Sequence, residues 1–183
     1  LVVYGDAGQT FGYAAKGGEV YVLGNLAGRP MINAVGKPRV VINGTCLDYL
    51  AESFMAGDPH NGGGFVILNG LRIGEGGEVI ELETPYPGGN LFSLASGGAI
   101  FVRDPHHKLT SDQLNGGEFF PFNGKDWQLI LPHLEENARL FDLPVERLLE
   151  VDGRQLAPEQ VYRKIGPAAV RALQAEEAWV AKH

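Results

Sequence analysis

Three short apolar runs recur along the first half of the chain, and each is flanked by glycines. They are Val20-Tyr21-Val22, Val40-Val41-Ile42 and Val66-Ile67-Leu68. The first two begin 20 residues apart, at positions 20 and 40, and the third begins 26 residues later, at position 66. A β-branched strand and glycine turns that return at such a period are typical of a solenoid. The pattern predicts a parallel β-helix in which each repeat is one coil.

The distribution of glycine favours the same architecture. Stacked coils bring strands roughly 4.8 Å apart, and glycine tolerates both the crowding and the positive φ expected at their corners. Gly5, Gly24 and Gly44 follow one another at nearly constant spacing, so we expect them to stack at one corner. Phe11 and Met31 are predicted to point into the interior.

The predicted organisation has three parts. Residues 1–105 form the β-helix of glycine-rich repeats, with a weaker fourth repeat at 76–82 and a fifth strand at 97–103. Residues 106–124 form an irregular connector, and residues 125–183 form a helical C-terminal segment. The fold class is therefore mainly β, a solenoid with a helical segment that either covers its open end or serves as a docking arm for a partner.

Helical spacing begins near Lys125. Leu129, Ile130 and Leu134 fall on one stripe, and Asp126 is a plausible N-cap. Pro144 is expected to end this helix. Further helical turns are predicted at residues 145–151, 158–165 and 167–181.

Charge and cysteine content exclude several classes of protein. The net charge is −7 and no basic cluster exceeds two residues, so nucleic acid is not expected as a partner. No apolar window approaches the length of a membrane span. Cys46 is the only cysteine. The sequence therefore predicts a cytoplasmic protein without structural disulfides, iron–sulfur clusters or structural zinc.

One motif carries a family resemblance. Residues Gly44-Thr45-Cys46-Leu47-Asp48-Tyr49 are followed by Phe54-Met55-Ala56-Gly57 and by Gly62-Gly63-Gly64. This order resembles the glycine-repeat (GXGXG) domain of the glutamate synthase large subunit, a domain that also forms one of the subunits of formylmethanofuran dehydrogenase. The chain differs by an inserted Leu47 and by a longer loop after Tyr49. The resemblance covers residues 5–105.

The resemblance implies a right-handed single-stranded β-helix that packs against glutaminase and flavin domains and carries no catalytic residues. We therefore expect a non-catalytic structural domain or subunit of a glutamate-synthase-like oxidoreductase, with no catalytic, cofactor-binding or metal-binding residues and no cofactor of its own. The alternatives are the scaffold subunit of a formylmethanofuran-dehydrogenase-like complex and a β-helix hydrolase or lyase. The chain opens at Leu1, without methionine and in mid-strand, so we expect its exposed edge to be covered by upstream residues, by self-association or by a catalytic subunit.

Histidines offer the strongest candidate for a metal site. His106 and His107 follow Asp104, and either Asp104 or His60 could supply a third ligand. Adjacent histidines on a strand point to opposite faces, so a solvated loop is the preferred interpretation.

The remaining candidates have simpler explanations. Cys46 could be a nucleophile, but no Ser/His/Asp arrangement surrounds it in the sequence, and a packed core residue is expected. The pairs Glu135-Glu136 and Glu176-Glu177 are interpreted as solvated helix faces. Glycine spacings that mimic dinucleotide fingerprints lack the strand-to-helix context such motifs require.

Overall fold

The computed structural model describes residues 1–168 and shows a mixed α/β fold. Among these residues, no helix is both long and apolar enough to cross a membrane. The helices are α1 (Gly124–Phe141), α2 (Val145–Leu148) and α3 (Pro158–Val161). The strands are β1 (Val2–Val3), β2 (Glu19–Val22), β3 (Arg39–Ile42), β4 (Phe65–Leu68), β5 (Leu71–Ile73), β6 (Val79–Glu81), β7 (Ala99–Arg103), β8 (Gly117–Phe120), β9 (Glu150–Val151), β10 (Arg154–Gln155) and β11 (Tyr162–Pro167).

Seven strands form one mixed sheet in the order β1-β2-β3-β4-β7-β11-β8. The first five are parallel, and the repeated apolar runs pair in register, with Val20 opposite Val40 and Val40 opposite Val66. Strand β11 runs antiparallel to both β7 and β8. The repeat therefore sets the register of neighbouring strands, and the sheet continues beyond it.

The predicted right-handed parallel β-helix over residues 1–105 is wrong. The chain forms a seven-stranded mixed sheet, which β8 and β11 extend in the antiparallel direction. The predicted fourth repeat at 76–82 pairs as β6 with β5 in a separate antiparallel hairpin. The physical reason lies in the apolar runs themselves: a strand that is apolar at every position is buried on both faces, as in layered α/β proteins.

Each face of the sheet belongs to its own hydrophobic cluster. Val22, Ile42 and Leu68 lie in the inner cluster, together with side chains from the glycine-rich turns. The alternate residues Tyr21 and Val41 lie in the outer cluster, which includes α1. Other members of the outer cluster are Phe65, Ile67, Phe101, Ile130, Leu134 and Leu148. Helix α1 thus covers a face that a bare solenoid would expose to water.

The N-cap of helix α1 lies three residues before the predicted one. It is Asn123, whose side chain accepts hydrogen bonds from the backbone N–H groups of Lys125 and Asp126. The Asp126 carboxylate accepts in return from the backbone N–H of Asn123, which completes a capping box. Pro132 lies inside the helix, and Asp142 ends it with a left-handed φ of 53°.

The predicted helix over residues 158–165 is also wrong. Helix α3 ends at Val161, and Tyr162–Pro167 is the strand β11. Its β-branched and aromatic residues pack better on the open edge of β7 than on a short isolated helix. The predicted helical turn at 145–151 is shorter, because Glu150 and Val151 form β9. The predicted helix at 167–181 lies almost wholly outside the described residues.

A buried amide network joins α1 to the sheet. Asn43 and Asn137 exchange two side-chain hydrogen bonds, of 2.8 and 2.9 Å, although they are 94 residues apart. Asn69 donates to the Asn43 amide oxygen at 3.0 Å, and the Tyr162 hydroxyl donates to Asn69 at 2.7 Å. All four residues are buried. Because every amide has partners, the network holds α1, β11 and the ends of β3 and β4 in one register.

Stability is expected to fall as pH drops below about 6.5, because His133 is buried as the neutral base. Burial lowers the pKa of His133 below its usual 6.5. Glu19, whose carboxylate lies 3.7 Å from Nδ1, opposes the shift, and Arg39 reinforces it. The unfolded chain then binds the extra proton, so the free energy of unfolding decreases on acidification, by at most about 1.4 kcal/mol per pH unit from this group. Denaturant titrations of the wild type and His133→Leu between pH 5 and pH 8 measure the free energy of unfolding. Its dependence on pH should be weaker in the variant than in the wild type.

The matched control is His107→Asn. His107 is exposed and has a left-handed φ of 53°, which asparagine tolerates. This control should keep the pH dependence of the wild type. A wild-type stability that stays constant from pH 7 to pH 5 would contradict a neutral buried His133.

Candidate functional site

The repeat glycines Gly5, Gly24 and Gly44 lie where the backbones of successive repeats meet. The Gly24 N–H donates to the Gly5 carbonyl at 3.1 Å, and the Gly44 N–H donates to the Gly24 carbonyl at 3.0 Å. A Cβ added at Gly44 would overlap the Gly24 carbonyl and the Asn25 side-chain oxygen. The predicted alignment of these three glycines is confirmed. Gly44 needs glycine because of this close approach, and the expected positive φ plays no part there.

Cys46 lies in the inner hydrophobic cluster with no exposed surface, as expected for a packed core residue. It forms a parallel bridge with Leu26, one repeat earlier in the chain. Burial raises the pKa of its thiol far above the usual value, which removes the thiolate needed for nucleophilic attack.

The Cys46 thiol is therefore expected to resist labelling by an aromatic disulfide reagent in the native protein and to react fully in guanidinium. The result is unambiguous because the chain has one cysteine. Absorbance of the released thiol anion measures the rate. Ser111→Cys, at an exposed position, supplies the reactive control. Stoichiometric labelling of native wild type within minutes would contradict the burial of Cys46.

The predicted histidine candidates do not come together. Asp104 is buried and accepts hydrogen bonds from the backbone N–H groups of Lys108 and Leu109 and from the Arg163 guanidinium. His60 pairs with Asp126 instead. The preferred interpretation of His106 and His107 as solvated loop residues agrees with the exposure of both.

His106 does lie near two carboxylates. Its Nε2 is 3.5 Å from Glu81 and 3.8 Å from Asp152, and the ligand atoms of all three lie within 4.8 Å of one another. All three residues are exposed, and the buried Arg103 guanidinium pairs with Glu81. Arg103 already neutralises one carboxylate, so the cluster is a weak cation site.

A cleft of about 560 Å³ lies elsewhere, and no pattern in the sequence indicated it. One wall is the loop from Gly57 to His60, and another is the turn from Ser96 to Ala99 before β7. The third side holds Phe120 at the end of β8 and Lys164 on β11. Its volume lies within the usual range for small-molecule sites. The remaining lining residues are Pro121, Asn123, Gly166 and Pro167.

Asp126 organises the polar side of this cleft. It is fully buried, and its Oδ1 accepts from His60 Nε2 at 2.8 Å and from Lys164 Nζ at 2.9 Å. Burial alone would raise the pKa of Asp126, but hydrogen bonds from Lys164, His60 and the Asn123 N–H outweigh it, so the pKa lies below its usual value. Asp126 is therefore ionised at neutral pH and fixes the positions of Lys164 and His60.

Sequence reasoning missed this cluster because its members are distant in the chain. His60 and Asp126 are 66 residues apart, and Asp126 and Lys164 are 38 apart. Asp126 has an adequate local explanation as a helix cap, and Lys164 falls within a predicted helix. The alternation of β11, with Tyr162 and Lys164 on one face, was the available signal.

Comparison of the chain with family models, with curated proteins and with solved structures finds no match. Function is therefore inferred from the motif resemblance and from the geometry above.

Proposed function

We propose that this chain is a non-catalytic structural domain or subunit of a glutamate-synthase-like assembly, which positions glutaminase and flavin-containing catalytic parts in the cytoplasm. The observation that carries the proposal is the use made of the glycine motif. Gly24 and Gly44 lie against the backbone of the preceding repeat, and Cys46 is buried in the core. Gly44 and Cys46, two of the residues that carry the resemblance, thus serve architecture rather than chemistry.

The amide network supports this role. A part that holds others in position must itself resist deformation, and Asn43, Asn69, Asn137 and Tyr162 connect distant elements through satisfied buried hydrogen bonds. Strand β7, which is buried along its whole length, pairs with β4 and β11 and so links the same elements.

The sheet edge at β1 offers a place for a protein partner. In the described part of the chain, β1 pairs only with β2. Leu1 and Tyr4 flank it and are 71% and 69% exposed. An open parallel edge beside exposed apolar side chains favours addition of protein, and the net charge of −7 disfavours nucleic acid.

Co-expression tests the proposal. The full chain is produced with the glutaminase and flavin subunits of a glutamate synthase, and separately with the catalytic subunits of a formylmethanofuran dehydrogenase. Size-exclusion chromatography with light scattering measures the mass of each complex. A stable complex with the first set supports the proposal, and one with the second set alone supports the alternative scaffold.

A pair of variants makes the test specific. Tyr4→Asp places a charge beside β1 and should weaken the complex. Leu94→Asp places the same charge at a residue that is 73% exposed, in the turn before β7, and should leave the complex intact. A chain that associates with neither set of subunits would overturn the proposal.

A further inference from the structure

We propose that Glu81, His106 and Asp152 bind one divalent transition-metal ion, with zinc the best match, through a carboxylate oxygen of each acidic residue and Nε2 of the histidine. The structural role proposed above makes no use of these three side chains. Three features carry the inference: the spacing of the ligand atoms, the fixed backbone that presents them and the chemistry of the donor set.

The ligand atoms have the spacing expected around a metal ion. His106 Nε2 lies 3.5 Å from Glu81 Oε2 and 3.8 Å from Asp152 Oδ2. Both distances exceed the roughly 2.7–3.2 Å of an N–H···O hydrogen bond, whereas ligands in a tetrahedral zinc site are roughly 3.3 Å apart. The three ligand atoms all lie within 4.8 Å of one another, so rotation of exposed side chains is enough to bring them around one ion.

Two of the ligands are presented by loops whose backbones are fixed. The buried Asp104 carboxylate accepts hydrogen bonds from two backbone N–H groups of the 104–109 loop, which carries His106. Asp152 and Gly153 form the two-residue turn between β9 and β10, with positive φ values of 51° and 74°. Two consecutive positive φ values suit a tight hairpin turn, so the backbone sets the position of Asp152.

The Arg103 guanidinium orients the third ligand. Its side chain is only 3% exposed, and it donates hydrogen bonds to the Leu148 and Glu150 carbonyls and to Glu81 Oε1. Glu81 Oε2 then faces His106, and a ligating carboxylate is commonly held by such a second hydrogen bond. Arg103 neutralises one of the two carboxylates, so one negative charge remains, which lowers the affinity for a cation without abolishing it.

The donor set selects the kind of ion. Imidazole nitrogen is a ligand for zinc, copper and nickel, whereas magnesium and calcium prefer sites made wholly of oxygen. Three protein ligands leave a fourth position for water, and a hollow of about 240 Å³ beside Glu81 and Asp152 has room for it. The Arg147 guanidinium, which also lines this hollow, pairs with Glu150. The site therefore suits zinc that exchanges with solvent rather than zinc that holds the fold together.

Isothermal titration calorimetry of the tag-free chain with Zn²⁺ near neutral pH tests the inference. One saturable Zn²⁺ site is expected, and Mg²⁺ should bind at least about tenfold more weakly. Two-dimensional NMR of the histidine rings should show that Zn²⁺ shifts the Nε2 resonance of His106 and leaves the ring of His107 unchanged.

Three variants and one control locate the site. His106→Asn and Asp152→Asn each remove a ligand at an exposed position and should weaken Zn²⁺ binding by about tenfold or more. Glu81→Gln should have the same effect, and the other two variants keep the test valid if loss of the ion pair with Arg103 unfolds it. His107→Asn removes the adjacent exposed imidazole and should leave Zn²⁺ binding unchanged.

The inference is overturned if no saturable Zn²⁺ binding is seen, if His106→Asn binds Zn²⁺ like the wild type, or if Mg²⁺ binds as tightly as Zn²⁺. The first result would leave the cluster as a set of surface ion pairs only. None of these results depends on subunit association, so failure here is separable from failure of the structural role.

Discussion

Gly44→Val is expected to lose about 3 kcal/mol of folding free energy, because the new side chain would overlap fixed backbone. A Cβ at this position would lie 2.7 Å from the Gly24 carbonyl carbon, and the carbonyl oxygen and the Asn25 side chain are closer still. The Gly44 N–H also donates to Gly24, so the strand cannot move away without losing that bond. For a chain of this size the melting temperature should fall by roughly 6–12 °C.

Gly8→Val is the matched control. A Cβ at Gly8 meets nothing within 4 Å, and its φ is not in the left-handed region. Differential scanning fluorimetry of both variants beside the wild type measures the effect. Equal melting temperatures for Gly44→Val and Gly8→Val would show that the contact between repeats is looser than the structure indicates.

Asn43→Ala should cost about 3 kcal/mol or more, because it leaves several buried polar groups without partners. The Asn43 side chain donates to the Val22 carbonyl and to Asn137, and it accepts from Asn137 and Asn69. Its removal leaves the buried Asn137 side-chain amide without its hydrogen bonds to Asn43. Chemical denaturation measures the loss, and the double variant with Asn137→Ala should cost less than the sum of the two single variants.

An exposed pair provides the comparison. Asn115 is exposed and donates to Asn90 at 3.0 Å and to Ser93 at 3.2 Å. Because water can replace the bond to Asn90, and only the bond to the buried Ser93 hydroxyl is lost, Asn115→Ala should cost about 1 kcal/mol. A similar cost for Asn43→Ala and Asn115→Ala, or strict additivity with Asn137→Ala, would mean that the buried network does not act as a unit.

The sequence predicted strand pairing well and architecture badly, for one physical reason. Glycine-flanked runs that return after 20 and then 26 residues indicate which residues lie side by side, and Val20 does pair with Val40. Such a repeat says nothing about what covers the outer face. That information lay in the residues between, Tyr21 and Val41, whose apolar side chains indicate a second layer.

The candidate site was harder to predict from the sequence. His60, Asp126 and Lys164 come together only because β11 adds to β7 and α1 begins beside the 57–60 loop. No spacing rule relates residues from a loop, a helix and an antiparallel strand. Cys46 was predictable, because a lone cysteine inside a glycine-strand repeat is most simply a small core residue.

The position of β11 has a consequence for synthesis on the ribosome. Strand β7 is buried throughout, yet its neighbour on one side is not made until about 60 residues later along the chain, at Tyr162–Pro167. A nascent chain that has emerged only as far as Arg103 exposes the unpaired edge of an apolar strand. Helix α1, which emerges after β8 and before β11, can shield the outer face but cannot hydrogen-bond that edge. Between the emergence of β7 and that of β11, the growing polypeptide is most exposed to aggregation and most in need of a chaperone.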